Sequence, residues 1–140
     1  MARVGKQQMR LTRFVLAMGA LLMTTPVLPA SPPLTGTWGG DRTMLTLEAT
    51  AGRIEYDCGA GTIEAPLVLD AKGAFSTTGR HEDYTPGPTA ADKATAFRVA
   101  SYRGTVVGDH MTLRVQVAGE KAPRVLNLVR GQRVKLVRCL

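Results

Sequence analysis

The densest run of chemistry-bearing side chains in this 140-residue chain is His81-Glu82-Asp83-Tyr84. An imidazole beside two carboxylates supplies donor types for a cation and a group that exchanges a proton near neutral pH. A metal needs ligands that converge in space, however, and successive residues along a strand or loop point apart. The only other histidine, His110, follows Gly108-Asp109 in a turn-forming run. The four residues therefore read as a candidate binding loop, with no metal and no cofactor expected.

Other catalytic patterns are missing. Ser31, Ser76 and Ser101 are the serines of the chain, and none lies in the Gly-x-Ser-x-Gly setting that presents a nucleophile. Glu55 and Asp57 fall on one side of an alternating run, so they do not oppose each other across a cleft as paired glycosidase carboxylates must. No glycine-rich loop opens a helix to cradle phosphate. The reading is of a protein that is not an enzyme.

Cys58 and Cys139 are the only cysteines. In an oxidising compartment a single pairing is open to them, closing a loop of about eighty residues and stabilising by roughly 4 kcal/mol in the chain-entropy description. Two buried free thiols are the alternative. With no partner motif nearby, the pair makes a poor zinc site.

The N-terminus bears on the compartment. Arg3, Lys6, Arg10 and Arg13 make a basic, acid-free start, an apolar run follows over residues 14–23, and a polar stretch leads to Leu28-Pro29-Ala30. That order is the layout of a secretory signal peptide, with cleavage expected after Ala30. The apolar run is about ten residues where a membrane-spanning helix needs about twenty, which disfavours an uncleaved anchor. The expected organisation is a signal peptide over residues 1–30 and one β domain over residues 31–140, exported to the periplasm or secreted, with no transmembrane segment in the mature form. Without the leader, fourteen basic residues stand against eleven acidic ones, net +3.

The elements that must position these residues are announced by period two. Ile54, Tyr56 and Cys58 alternate with Arg53, Glu55 and Asp57, and Met111, Leu113, Val115 and Val117 alternate with polar neighbours. Such a pattern puts one face on a core and the other in water. Further strands are predicted over 43–50, 67–69, 74–78, 97–102, 105–107, 124–129 and 133–139. Turn residues recur at intervals near ten, as at Ala51-Gly52, Asp70 to Gly73, Gly108-Asp109 and Gly131-Gln132. The predicted fold is an all-β antiparallel meander of seven or eight strands, forming a small barrel or curved sandwich with one disulfide. Residues 79–93 form a long polar connection, with a helical turn or two expected near 89–96. Alternation leaves one conflict. It turns Cys58 inward but sets Cys139 with Arg133 and Lys135 outward, so a bridge requires a bulge in the last strand or a cysteine just past its end.

Gly36-Thr37-Trp38 at the head of the domain resembles the lipocalin signature. That resemblance implies a Trp at the closed end of a barrel beneath an Arg from the last strand, which casts Trp38 and Arg138 as a barrel-closing pair in a cation–π contact worth about 0.5–2 kcal/mol. A fuller resemblance, over nearly all of residues 31–140, is to a group of small exported bacterial proteins. It rests on Gly36-x-Trp38-Gly39-Gly40, Glu55-x-Asp57-Cys58 with Gly61-x-Ile63, Asp70-x-x-Gly73-x-Phe75, Met111-Thr112-Leu113 and Arg138-Cys139-Leu140. It implies export and a shared scaffold, and it carries no activity.

Residues 111–140 hold seven basic groups and only Glu120, net +6, while residues 31–110 are net −3. Arg130, Arg133 and Lys135 are the candidate patch for an anionic surface; the same residues would equally guard sheet edges against aggregation. No aromatic stacking residues accompany them, so no nucleic acid is expected. The expected function is a non-enzymatic exported binding protein whose partner is a small ligand or an envelope protein. The alternative is a surface-acting inhibitor or envelope-assembly protein with a solid core.

Overall fold

The computed structural model describes residues 25–87 and 96–139. Eight strands follow in order: β1 (Gly36–Gly40), β2 (Thr43–Leu47), β3 (Gly52–Tyr56), β4 (Gly59–Ile63), β5 (Ala74–Asp83), β6 (Phe97–Val107), β7 (His110–Val117) and β8 (Arg124–Arg130). Each pairs antiparallel with the next and β8 returns to β1, so the expected meander is a closed barrel rather than a sandwich. No helix occurs among the described residues, and hence none long and apolar enough to cross a membrane. Of the expected leader, residues 1–24 lie outside the described residues and 25–30 have no regular structure. The helical turn expected near 89–96 also falls almost wholly outside them.

Alternation builds the wall. Leu45 and Leu47 on β2, Ile54 on β3, Ala100 and Tyr102 on β6, Leu113 and Val115 on β7, and Leu126 and Leu128 on β8 all point into one buried core. Small residues make room for large ones across it. A Cβ on Gly61 would overlap the Tyr102 hydroxyl, and Tyr102 sits fully buried above that glycine, donating to the Arg80 carbonyl at 3.1 Å. On the next strands the ring of Phe75 covers Gly104, its cross-strand partner.

The barrel has two ends. The lower end takes the β2–β3, β4–β5 and β6–β7 connections and both chain termini of the barrel. Here the Leu34 amide donates to the Leu67 carbonyl at 2.7 Å, and Leu34, Leu67 and Leu69 pack on the core as a plug. The upper end takes the β1–β2, β3–β4, β5–β6 and β7–β8 connections. The β1–β8 seam has only two register pairs, Trp38 with Arg130 and Gly39 with Val129. Bonds outside the ladder reinforce it: the Asn127 amide donates to Asp41 Oδ2 at 2.6 Å and the Gly131 amide to the Thr37 carbonyl at 2.7 Å.

Several expected strands differ. Residues 67–69 form no strand, because Leu67 is spent plugging the lower end. The segments 97–102 and 105–107 are one strand, since Gly104 stays in the ladder under Phe75. β4, which reads Gly-Ala-Gly-Thr-Ile, was not anticipated, because its alternation is carried by glycines that lodge other residues' side chains. Residues 79–83 extend β5 instead of opening a loop.

Residues 133–139 form no strand either. With β1 already paired to β2 and β8, the closed barrel offers them no edge. They run instead as a strap across the outer face of β1, β2 and the β3–β4 turn. The Gln132 carbonyl lies where a Cβ on Gly39 would be, the Val134 amide approaches Met44 Sδ at 3.2 Å, and the Val137 amide donates to Asp57 Oδ1 at 2.8 Å. The strap ends at the Cys58–Cys139 disulfide, with Cα atoms 5.3 Å apart. Cys58 lies in the β3–β4 turn and is exposed, not turned inward, and Cys139 lies past the last strand. The inside–outside conflict therefore dissolves without a bulge.

Candidate functional site

The four residues of the expected binding loop are divided by the wall. His81 and Asp83 are on the inward row of β5, Glu82 is on the outward row opposite Phe97, and Tyr84 follows the strand end. His81 is 1% exposed, so it offers no atom to a partner in solution. It is a core residue of the upper end. The loop reading fails because alternation, not turn chemistry, governs residues 79–83.

What these residues build is a closed polar ring under the upper rim. His81 Nε2 lies 3.3 Å from Asp83 Oδ1. Arg98, on the inward row of β6, donates from Nε and Nη2 to the two Asp83 oxygens at 2.9 and 2.7 Å and reaches Glu120 at 3.5 Å. Glu120 pairs with Arg124, whose guanidinium stands over the Tyr56 ring at 5.4 Å. The Tyr56 ring in turn lies 5.7 Å from His81. Burial, and then the charge of Arg124, lowers the His81 pKa, so the imidazole stays neutral. The Nε2–H then faces Asp83, leaving Nδ1 as a buried acceptor without a partner; the Tyr56 hydroxyl is likewise unpartnered. The hydrogen bond from Arg98 holds the Asp83 carboxyl below the usual carboxylate range, and burial raises the Tyr56 hydroxyl. The ring matches two guanidiniums to two carboxylates. It locks β3, β5, β6 and β8 together.

The barrel-closing contact is present in kind but made by another residue. The guanidinium over Trp38 belongs to Arg130, 4.3 Å from the ring centre, and not to Arg138, which is exposed on the strap. Arg130 ends the true last strand on its inward row, whereas sequence alone placed the last strand over 133–139. Its Nη1 donates to the Thr35 carbonyl at 3.1 Å and its Nε faces Asp109 at 3.3 Å. Arg130 thus helps to close the lower end while its side chain stays 40% exposed. Arg133 and Lys135 remain exposed on the strap, in no ion pair among the described residues.

The interior is filled. Trp38, Leu45, Ile54, Tyr102, Leu113 and Val115 are each 0% exposed. Two depressions, each about 410 Å³, lie outside the wall: one beside Pro33, Leu69 and Arg130, the other where the strap passes Thr37 and Met44. No group of three or more potential metal-ligating side chains converges among the described residues.

One feature escaped sequence reading. Arg103 on β6 and Arg114 on β7 are directly opposed on the outer face, and both are exposed. Ending the β6 strand at Tyr102 hid Arg103 from its row; carrying the alternation through Gly104 would have found the pair. No protein-family model, no curated protein and no solved structure matches this chain.

Proposed function

We propose that this is an exported, non-enzymatic binding protein that works through its outer surface, with the barrel as a solid scaffold. The filled interior is the observation that carries the reading: side chains of Trp38, Tyr102 and the leucine and valine rows occupy the space a ligand would need. Eight-stranded barrels hold a ligand only when that space is left open. Both ends support the same conclusion, with Leu67 and the Trp38–Arg130 contact below and the His81–Asp83–Arg98 ring above. Export is supported by the layout of residues 1–30 and by the disulfide. The partner is then an envelope or secreted protein rather than a small molecule.

Native mass spectrometry of the protein from its exported compartment tests this. The expected spectrum is the mass of residues 31–140 less two hydrogens, with no small-molecule adduct. A reproducible adduct retained by the folded chain, and lost on filling or opening the inward row at Val115, would overturn the surface reading.

A further inference from the structure

Resting on the surface reading, we propose that the outer face of β6 and β7, centred on Arg103 and Arg114, is the docking surface for an acidic protein, whose carboxylates seat between the two guanidiniums. The register sets the pair in one cross-strand row, Ser76–Arg103–Arg114–Val125. Like charges directly opposed across a sheet repel. Among the described residues, no carboxylate on this face relieves that repulsion. The flanking rows are Thr78–Ser101–Gln116 and Ala74–Thr105–Thr112–Asn127, all uncharged.

Elsewhere on the barrel the arginines are matched. Arg42, Arg53, Arg80, Arg98, Arg124 and Arg130 each face a carboxylate, while Arg103 and Arg114 face none among the described residues. Two planar guanidiniums among hydroxyls are therefore an unfilled seat for planar anions, which Arg binds in bidentate fashion. The partner supplies the missing charge.

The surroundings favour a protein over a membrane or a nucleic acid. Exposed Phe97 and Val99 lie toward one end of the β6 outward row, exposed Val107 lies at the other, and Val125 adjoins Arg114. Arginine set among exposed apolar residues is the composition of a protein interface. A bilayer takes up apolar groups gathered at one tip, whereas Val99 and Val107 are eight residues apart on a strand, about 26 Å. Base stacking requires aromatic rings beside the arginines, and no Phe, Tyr or Trp occupies these three rows.

The test uses residues 31–140 and two probes: labelled poly-L-glutamate, and phosphatidylglycerol vesicles. Three proteins are compared at low salt: the unaltered chain, Arg103→Glu/Arg114→Glu, and Arg133→Glu/Lys135→Glu on the strap. The wall reversal should weaken polyglutamate binding at least tenfold and the strap reversal less than threefold. Equal losses, or no loss from the wall reversal, overturn the proposal, as does binding to vesicles without binding to polyglutamate. Thermal melting checks folding, and Arg103→Ser/Arg114→Ser replaces the reversal if the latter does not fold. That neutral variant should melt no lower than the unaltered chain, because it removes a repulsion. A failure of the wall reversal with a ligand-free native mass sinks this site alone, while a retained small molecule sinks the surface reading with it.

Discussion

At the scale of single residues, His81 decides how the upper end responds to pH. Its folded pKa lies below the ordinary value near 6.5, from burial first and then from Arg124. The folded barrel therefore takes up fewer protons than the unfolded chain in acid, and stability is full above the unfolded pKa and falls as pH drops through the folded one. Asp83, also depressed, adds its own loss at lower pH, below the carboxylate range. Between pH 7.5 and 5.5 the urea midpoint should fall. In His81→Gln the midpoint should be flat over that window. An unchanged slope in that variant would remove His81 from this role. Tyr102 behaves oppositely: burial pushes its hydroxyl up to about 12, so it stays a donor to the Arg80 carbonyl.

At the scale of elements, the barrel's packing sets a glycine on one strand against an aromatic ring on another. Gly61 on β4 lies where a methyl would meet the Tyr102 hydroxyl, the Arg80 carbonyl and Ile54. Gly61→Ala should cost about 1–3 kcal/mol as overpacking. Removing the hydroxyl as well should relieve part of that, so the double variant Gly61→Ala/Tyr102→Phe should be more stable than the sum of single effects by about 0.5–1 kcal/mol. Denaturant titrations of the four proteins decide it; strict additivity would show that the clash lies with the Arg80 backbone instead. The same pairing explains which strands were legible. β3 and β7 carry their inward rows as Ile54-x-Tyr56 and Met111 to Val117, so period two was plain. β4 carries its row partly as Gly59 and Gly61, which lie against His81 of β5 and Tyr102 of β6, and no local pattern could reveal it.

At the scale of the whole molecule, the strap and its disulfide brace the weakest seam. β8 meets β1 through two register pairs, and the chain beyond Gly131 crosses β1 and β2 to end at Cys58. The bridge joins residues 81 apart in sequence, so opening it releases a long loop in the unfolded state and the strap in the folded one. Cys58→Ser/Cys139→Ser should lower stability by about 2–5 kcal/mol, read as an earlier denaturation midpoint. Proteolysis of that variant should begin within residues 131–139, where the remaining ties to Met44 and Asp57 are few. Cleavage starting elsewhere, with an unchanged midpoint, would deny the strap its bracing part. Closure of the barrel also explains why those residues are not a ninth strand: no ladder edge remains for them.

The sequence by itself determined the fold class, the single pairing open to two cysteines and most of the wall, because period two and turn residues act over a few positions and are written locally. The lipocalin-like Gly36-x-Trp38 start implied an arginine over Trp38. Only the tertiary structure decided which arginine, since the choice between Arg130 and Arg138 depends on where β8 stops and the strap begins. It likewise drew His81 into the core beside Tyr56 of β3, within a ring that also takes Arg98 of β6 and Arg124 of β8. Those relations are fixed by the shear and closure of the barrel. They belong to residues far apart along the chain, whose proximity no local pattern encodes.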